Sequence, residues 1–578
     1  MSNEEKQDAP AESVETNAGK DALRRRDILK IGLIAGAGSA GYLISNKGFG
    51  RAASTGSPRT RPFVDPLPIP PIKTPVPYLY PAPQEYPLPG EGRRRSHQAF
   101  KRFPPQKYYE IHQRAGKHRF HSDLPLTDIW GFDGIVPGPT YHARYGEPIL
   151  VRNFNDLPQN HTGFGIPQVT THLHNAHTPS ESDGFPTDFF PFQVGGSELF
   201  YDQHYPNVCA GFSKQQYAPY GDIRESLSTL WYHDHRVDFT SQNVYRGLAG
   251  FYLLFNGYDT GNEATGFRLP SGKFDVPMLF ADKIFDKRGR LVFDLFNQDG
   301  ILGDKFTVNG KIQPHFKVHP RRYRLRWLNA GPSRFYQLFL TNPADPSIII
   351  PFTRISSDGN LLPQSLTVTN LRLAVAQRAD VIVDFSQHAG KSIILENRLE
   401  QLDGRGPTDE ILPAGQGHAI LRFDVQLPDV GDGSQAPPYT FYDVPRPSKE
   451  ELAAARVRYF RLERGNGQWQ INGEFFDGDK TMADPVEGTS EIWVLQNNSG
   501  GWQHPAHIHF EEFQMLSRNG QAPPPHERGR MDVADVRHNE EIRLFLRFRD
   551  FVGHHVMHCH NTLHEDHSMM LRWEILPA

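Results

Sequence analysis

Four His-x-His pairs, His172/His174, His233/His235, His507/His509 and His558/His560, constrain this chain more than any other feature. On a β-strand, residues i and i+2 point to the same face, so each pair can present two imidazoles together. Eight imidazoles from four strands are too many for one metal ion and enough for a cluster of two or three. Histidine makes up 27 of 578 residues, so chance alone would supply about one such pair. The geometry therefore carries more weight than the count. The first and last pairs lie about 400 residues apart by the numbering, and only a multi-domain fold can bring them together.

The rest of the chain reads as strands and turns. Tyr323, Leu325 and Trp327 alternate with Arg322, Arg324 and Arg326, and Ile542, Leu544, Leu546 and Phe548 alternate with Arg543, Phe545, Arg547 and Arg549. Period-2 patterning of this kind predicts half-buried β-strands. Asn309-Gly310 is a hairpin turn signal, and no long 3.6-residue period is present. The 51 Gly, 48 Pro and 12% aromatic residues suit an all-β protein with many turns. A Pro-, Gly- and Asp-rich stretch at 426–448 reads as an inter-domain linker, and a softer boundary falls near 258–272. These divide the chain into residues 105–260, 261–428 and 429–578, each of β-sandwich size.

Ahead of these blocks lie two non-globular stretches. Residues 1–53 are polar at first, then carry Arg24-Arg25-Arg26 and the apolar run from Ile31 to Ile44. They resemble a twin-arginine export signal on a disordered N-terminus. A membrane anchor is the alternative, but the run is short and Gly/Ala-rich for a span. Stable membrane insertion after export is not expected. Residues 54–104 hold a dense proline run, read as an extended strap without ladder hydrogen bonds along the first block. Arg93-Arg94-Arg95 reads as a solvated charge cluster. A net charge of −4 gives no basic excess for nucleic acid.

Only two cysteines occur, Cys209 and Cys559, so no disulfide framework is expected. Cys559 sits between His558 and His560, and on a strand it faces away from both. It therefore serves a different metal from theirs. His564 and Met569 follow at intervals of five, and His504, beside Pro505, need not share the face of His507 and His509. Two imidazoles, a thiolate and a thioether (His504, His564, Cys559, Met569) form a blue-copper ligand set, and the thioether favours copper over zinc. Taken singly, each motif could be a zinc site, a pair of surface histidines or core filler; together they point to copper. Cys209 is then a plain buried or semi-buried thiol.

With these motifs in place, the sequence resembles the multicopper oxidases over nearly all of the chain after residue 105. Thr171-His172-Leu173-His174 with Thr178-Pro179 and Ser182-Asp183-Gly184 resembles the branch of bacterial spore-coat laccase, bilirubin oxidase and phenoxazinone synthase. So do Leu230 to His235 with Asn243-Val244-Tyr245, Ser357-Asp358-Gly359 with Leu361-Leu362-Pro363, and His564-Glu565-Asp566 before Met569-Met570. The resemblance implies three cupredoxin-like Greek-key β-sandwich domains and four copper ions. It assigns His504, Cys559, His564 and Met569 to a type 1 copper and His172 and His507 to a type 2 copper. His174, His233, His235, His509, His558 and His560 go to a type 3 pair, with the cluster between the first and third domains. Two positions depart from the family: Asn175 and Phe510 stand where Gly is common, and Asn175 is expected to alter the local backbone. His177, His554, His555 and His567 are extra histidines without an assigned role.

The implied reaction takes four electrons, one at a time, from a phenolic, aminophenolic or similar donor and reduces O2 to two waters. Electrons enter at the His564 edge and pass through Cys559 to His558 and His560. Glu565 and Asp183 match the family's proton-supplying acids, a role that suits a carboxyl whose pKa lies near the working pH. Two rival readings are a cuprous or metal-ion oxidase for copper tolerance and a copper-free exported scaffold. Only 8 Met occur, with no cluster beyond Met569-Met570, which argues against the first. Complete ligand retention argues against the second. An exported protein of this kind belongs in the periplasm or at the cell surface. Its physiological donor is not written in the sequence.

Overall fold

The computed structural model describes residues 56–191, 199–211 and 221–578; the segment read as an export signal lies outside them. Short alternating runs pair into three successive pairs of sheets. In the first, strands Thr127–Phe132, Lys107–His118, Ile149–Asp156 and Phe200–Tyr205 form one sheet, and Gly138–Arg144, Ala249–Phe255, Thr229–Asp234 and Thr171–His174 form the other. Each block repeats one device: its leading long strand runs parallel to a later one. Lys107–His118 lies beside Ile149–Asp156, Asp275–Phe285 beside Arg322–Asn329, and Arg456–Gly465 beside Ser490–Asn497. A hairpin cannot join parallel neighbours, so the chain must cross over, as in a Greek key.

Side chains from the two sheets of a block meet in one core. In the third block Trp493 and Leu544 from one sheet pack with Ala506, Met557 and Trp573 from the other, all buried. That is the anatomy of a β-sandwich, and the expected all-β architecture of three such sandwiches is what the chain adopts. Helices are brief; Thr240–Arg246 is the longest among the described residues. None of these is long and apolar enough to cross a membrane. Asn309 and Gly310 both take positive φ (47° and 76°) between paired Val308 and Lys311, the turn their sequence predicts.

Three expectations need correction. Strand Arg322–Asn329 is buried on both faces, because Arg324 and Arg326 pair with Asp380, Asp259 and Asp275. Ion pairing satisfies the charges that alternation alone would place in water. The proline-rich strap runs along the middle block as well as the first: Arg61 pairs with Asp123 of the first block at 2.7 Å, while Leu67 donates to the His315 carbonyl at 2.7 Å and joins the middle core. Farther along, Lys73 donates to the Thr140 carbonyl and Val76 to that of Tyr108, each at 2.8 Å, so isolated bridges replace a ladder. Lastly, only Arg94 of the arginine triplet is exposed. Arg93 is buried against Glu91, and Arg95 reaches Ser180 and Asp188.

Candidate metal centre

The four His-x-His pairs lie at the ends of strands that face one another. Thr171–His174 pairs with Thr229–Asp234 so that His172 stands opposite His233. In the third block His504–Ile508 pairs with Gly553–Cys559, placing His507 opposite His558. All eight rings are buried. They meet across the two blocks: His172 Nε2 lies 3.4 Å from His507 Nε2, and His558 Nε2 lies 3.1 Å from His235 Nε2 and 3.3 Å from His509 Nε2. Within the first block His174 Nδ1 lies 3.4 Å from His233 Nε2.

What the other nitrogen of each ring touches decides which one faces inward. The outer Nδ1 of His172, His233 and His507 meets the carbonyl of Asp183, Asp234 and Asp532 at 2.6, 2.8 and 3.0 Å. His509 Nδ1 meets Asp183 Oδ2 at 2.8 Å, and His558 Nδ1 lies 3.2 Å from the Cys559 carbonyl and from Glu565 Oε2. His235 Nδ1 is 3.4 Å from Glu565 Oε1, and His174, turned the other way, has Nε2 3.4 Å from Asp532 Oδ2. In His172, His233, His507, His509 and His558 an oxygen acceptor fixes the proton on the outer nitrogen and leaves the inner one a bare lone pair, while in His174 and His235 the outer nitrogen lies beside a carboxylate without a hydrogen bond. Seven rings thus aim a nitrogen at a common centre. His560 completes the group, with ring centroids 5.2 Å from His174 and 5.4 Å from His233. Its two nitrogens are buried without a hydrogen-bond partner. Such an arrangement is unfavourable in a dry interior and natural around metal ions. The donor set fits copper.

A second cluster lies on the opposite side of strand Gly553–Cys559. Cys559 Sγ is 3.5 Å from Nδ1 of both His504 and His564, and those two nitrogens are 3.1 Å apart. Again the outer nitrogens are engaged, His504 Nε2 with Ser499 Oγ at 2.7 Å and His564 Nε2 with the Asp299 carbonyl at 3.0 Å. Met569 is fully buried, and its carbonyl accepts the Cys559 N–H at 3.0 Å. The Trp469 ring lies 4.0 Å from that of His564. Strand alternation therefore separates Cys559 from His558 and His560 as expected, while one step of backbone joins the two clusters.

Comparison with known proteins points the same way. Residues 451–578 match the family model described as multicopper oxidase. A bilirubin oxidase from Albifimbria verrucaria is 32% identical over 520 residues, covering 89% of this chain and 81% of the relative. A laccase from Bacillus subtilis is 31% identical over 521 residues, covering 81% and 94%. The chain belongs to the multicopper oxidase family. A crystal structure of a Pediococcus acidilactici laccase shares the fold at TM-score 0.69 and 24% identity, covering 90% of this chain and 95% of that one. This multicopper oxidase is a copper-dependent oxidoreductase with O2 as acceptor.

The electrostatics of the oxidase suit neutral donors. Burial, reinforced by neighbouring imidazoles, holds His174, His233, His507, His509, His560 and His564 well below the ordinary range, and burial brings His235 and His504 down to about 3. Neutral imidazole is the form that binds metal. Burial pushes the Cys559 thiol well up, so a bound cation must draw off its proton. Burial also pushes Asp183 and Glu565 upward, but facing imidazoles outweigh it: His509 and His172 hold Asp183 well below the ordinary carboxylate range, and His558 and His235 hold Glu565 below it. Both carboxyls lie against the outer imidazole nitrogens, Asp183 Oδ2 2.8 Å from His509 Nδ1 and Glu565 Oε2 3.2 Å from His558 Nδ1, where they orient those rings.

Asn175 and Phe510 keep the backbone that Gly would favour, with φ of 72° and 71°. Asn tolerates this region, whereas a bulky ring there is an outlier. Phe510 is held by stacking between two of the extra histidines, His177 at 4.3 Å and His555 at 4.7 Å. His555 also reaches Asp183 Oδ2 at 3.2 Å, and His567 Nδ1 reaches the Leu563 carbonyl at 2.6 Å. His554, half-buried, packs edge-on to Phe185. Asp234, between His233 and His235, is fully buried and accepts from Thr170 and Asn243. Cys209 is a buried free thiol. Sequence reasoning missed Asp532, which touches two of the cluster's histidines; an isolated Asp between strands carries no pattern.

Proposed function

We propose that this oxidase is laccase-like, taking single electrons from a phenolic, aminophenolic or similar small-molecule donor. The observation that carries the reading is the inward aim of the imidazole lone pairs in two buried clusters joined through His558-Cys559-His560. In this reading His504, Cys559, His564 and Met569 hold a type 1 copper and His172 and His507 a type 2 copper. His174, His233, His235, His509, His558 and His560 hold a type 3 pair, four ions in all. When bound, copper supplies one-electron redox chemistry that couples four donor oxidations to the reduction of O2 to two waters.

The chain's own residues set the conditions for that chemistry. The Asp299 carbonyl and Trp469 fix the His564 ring nearest the donor side. The backbone between Cys559 and His558 is the shortest covalent path from one cluster to the other. Glu565, placed against His235 and His558, and Asp183, placed against His172 and His509, are the carboxylates positioned to hold or pass protons beside the larger cluster. The twin-arginine-like Arg25-Arg26 and the apolar run after it support export in the folded state to the periplasm or cell surface.

Neither rival reading is favoured, since the relatives include a bilirubin oxidase and laccases and no donor residue is missing. Metal analysis of the purified protein together with O2 uptake on a phenol tests the proposal. It expects about four copper ions per chain and one O2 consumed per four electrons. A copper-loaded protein that oxidises Cu(I) but no aromatic donor would sink it.

A further inference from the structure

The middle block contributes none of the candidate ligands, yet it reaches the cluster at one point. Asp532 touches a histidine from each of the other blocks. Its Oδ2 lies 3.4 Å from His174 Nε2, and its carbonyl meets His507 Nδ1 at 3.0 Å. The carboxylate is gripped by Arg378 of the middle block, Nη1 to Oδ1 at 2.9 Å and Nη2 to Oδ2 at 2.8 Å. A bidentate fork fixes both the position and the plane of a carboxylate.

Arg378 is itself held by the Ala376 and Asp358 carbonyls, each at 2.9 Å. Asp358 belongs to the Ser357-Asp358-Gly359 motif, and its other contacts span the same junction. Its carbonyl accepts from Asn175, the residue after His174, and its Oδ2 accepts the Val533 N–H at 3.1 Å, the residue after Asp532. Gly359 has φ of +82°, and a Cβ there would lie 2.6 Å from the Thr229 carbonyl. The turn is therefore fitted against the strand that carries His233. Asp532, Arg378 and Asp358 are all buried to 1% exposure or less.

We propose that the Asp532–Arg378 clamp, seated on the Asp358-Gly359 turn, is the positioning device by which the middle block sets His174 and His507. This rests on the ligand reading above. His174 differs from the other rings in turning Nδ1 inward. The Asp532 carboxylate stands 3.4 Å from its Nε2, so the charge favours a proton there and leaves Nδ1 to face the cluster. The Asp532 carbonyl sets the proton of His507 in the same way, on Nδ1. One residue thus fixes a ligand from the first block and one from the third, and the middle block holds that residue still.

The test uses the holoenzyme of Asp532→Asn, Arg378→Lys and His174→Ala. It reads copper per chain, the electron paramagnetic resonance spectrum and the blue absorption of the Cys559 centre. An Asn at 532 keeps the volume but loses the charge that faces Arg378 and His174. Both clamp variants are expected to weaken copper retention in the eight-histidine cluster by 10–100-fold, as loss of an outer-shell partner does, and to change its resonance spectrum while the blue band stays. Unchanged retention and spectrum in Asp532→Asn and Arg378→Lys would overturn the positioning role, provided His174→Ala loses copper. If His174→Ala also loses none, the ligand reading itself falls. Parallel loss of the blue band and of the thermal midpoint in Asp532→Asn would mark a general structural role and likewise overturn the proposal.

Discussion

At the residue scale, the candidate ligands were legible because metal binding demands particular side chains at strand spacing. His172 to His560 could be listed from that requirement, and Cys559 could be set apart from its neighbours by alternation alone. The residues that orient them were not legible, because any carbonyl or carboxylate in reach will do: Asp299, Asp532 and Ser499 carry no pattern. Glu565 joins the two kinds, being both a recognisable acid and the partner of His235 and His558. Glu565→Gln is expected to slow O2 reduction by about 10²-fold or more while leaving reduction of the blue centre by substrate intact. Stopped-flow measurement of the two half-reactions checks this, and equal turnover in the variant removes Glu565 from the proton path. Phe510 offers a different test. Replacing it by Gly relieves a left-handed backbone costing about 1–2 kcal/mol but removes a buried ring worth about 3–5 kcal/mol. Phe510→Gly should therefore be less stable by roughly 2 kcal/mol, read from thermal or denaturant unfolding.

At the scale of elements, period-2 alternation located strands well and their surroundings less well. It placed Arg322–Asn329 as a strand but not its buried arginines, because the acids that pair with Arg324 and Arg326 come from distant stretches: Asp259, Asp275 and Asp380. The proline-rich strap was recognisable as extended chain from composition, whereas its docking on the middle block rests on scattered contacts, among them Phe63 with Gln313 and Leu67 with His315, that composition does not show. Leu67→Ala should lower the unfolding midpoint of the middle block, with a loss of about 2 kcal/mol for truncating a buried leucine. Calorimetry of the whole chain checks it; an unchanged profile would show that the strap is held elsewhere.

At the scale of the molecule, the first and third blocks are joined by more than the histidine cluster. Glu225 of the first block pairs with Arg530 and Arg549 of the third at 2.9 and 2.8 Å. Burial pushes its carboxyl up, but the two guanidinium groups outweigh this and bring it down to about 2. A folded-state value below the unfolded one contributes stability above pH about 4.5, lost as pH falls through 2. Glu511, facing both arginines, and Glu512, facing Arg530, are pushed up to about 8 and 7, chiefly by burial. Glu225→Gln is therefore expected to cost about 3–5 kcal/mol at neutral pH, with the gap from the parent narrowing as pH falls from about 4.5 toward 2. A constant gap would deny that the pair is ionised. None of this interface was visible in sequence, since its members are single charges scattered over some 300 positions. The central claim is that Cys559 serves one centre while its neighbours serve another, and Cys559→Ser tests it most directly. Copper analysis with visible absorption should show the blue band gone, substrate oxidation abolished and copper retained in the eight-histidine cluster. A blue, active Cys559→Ser protein would contradict the account.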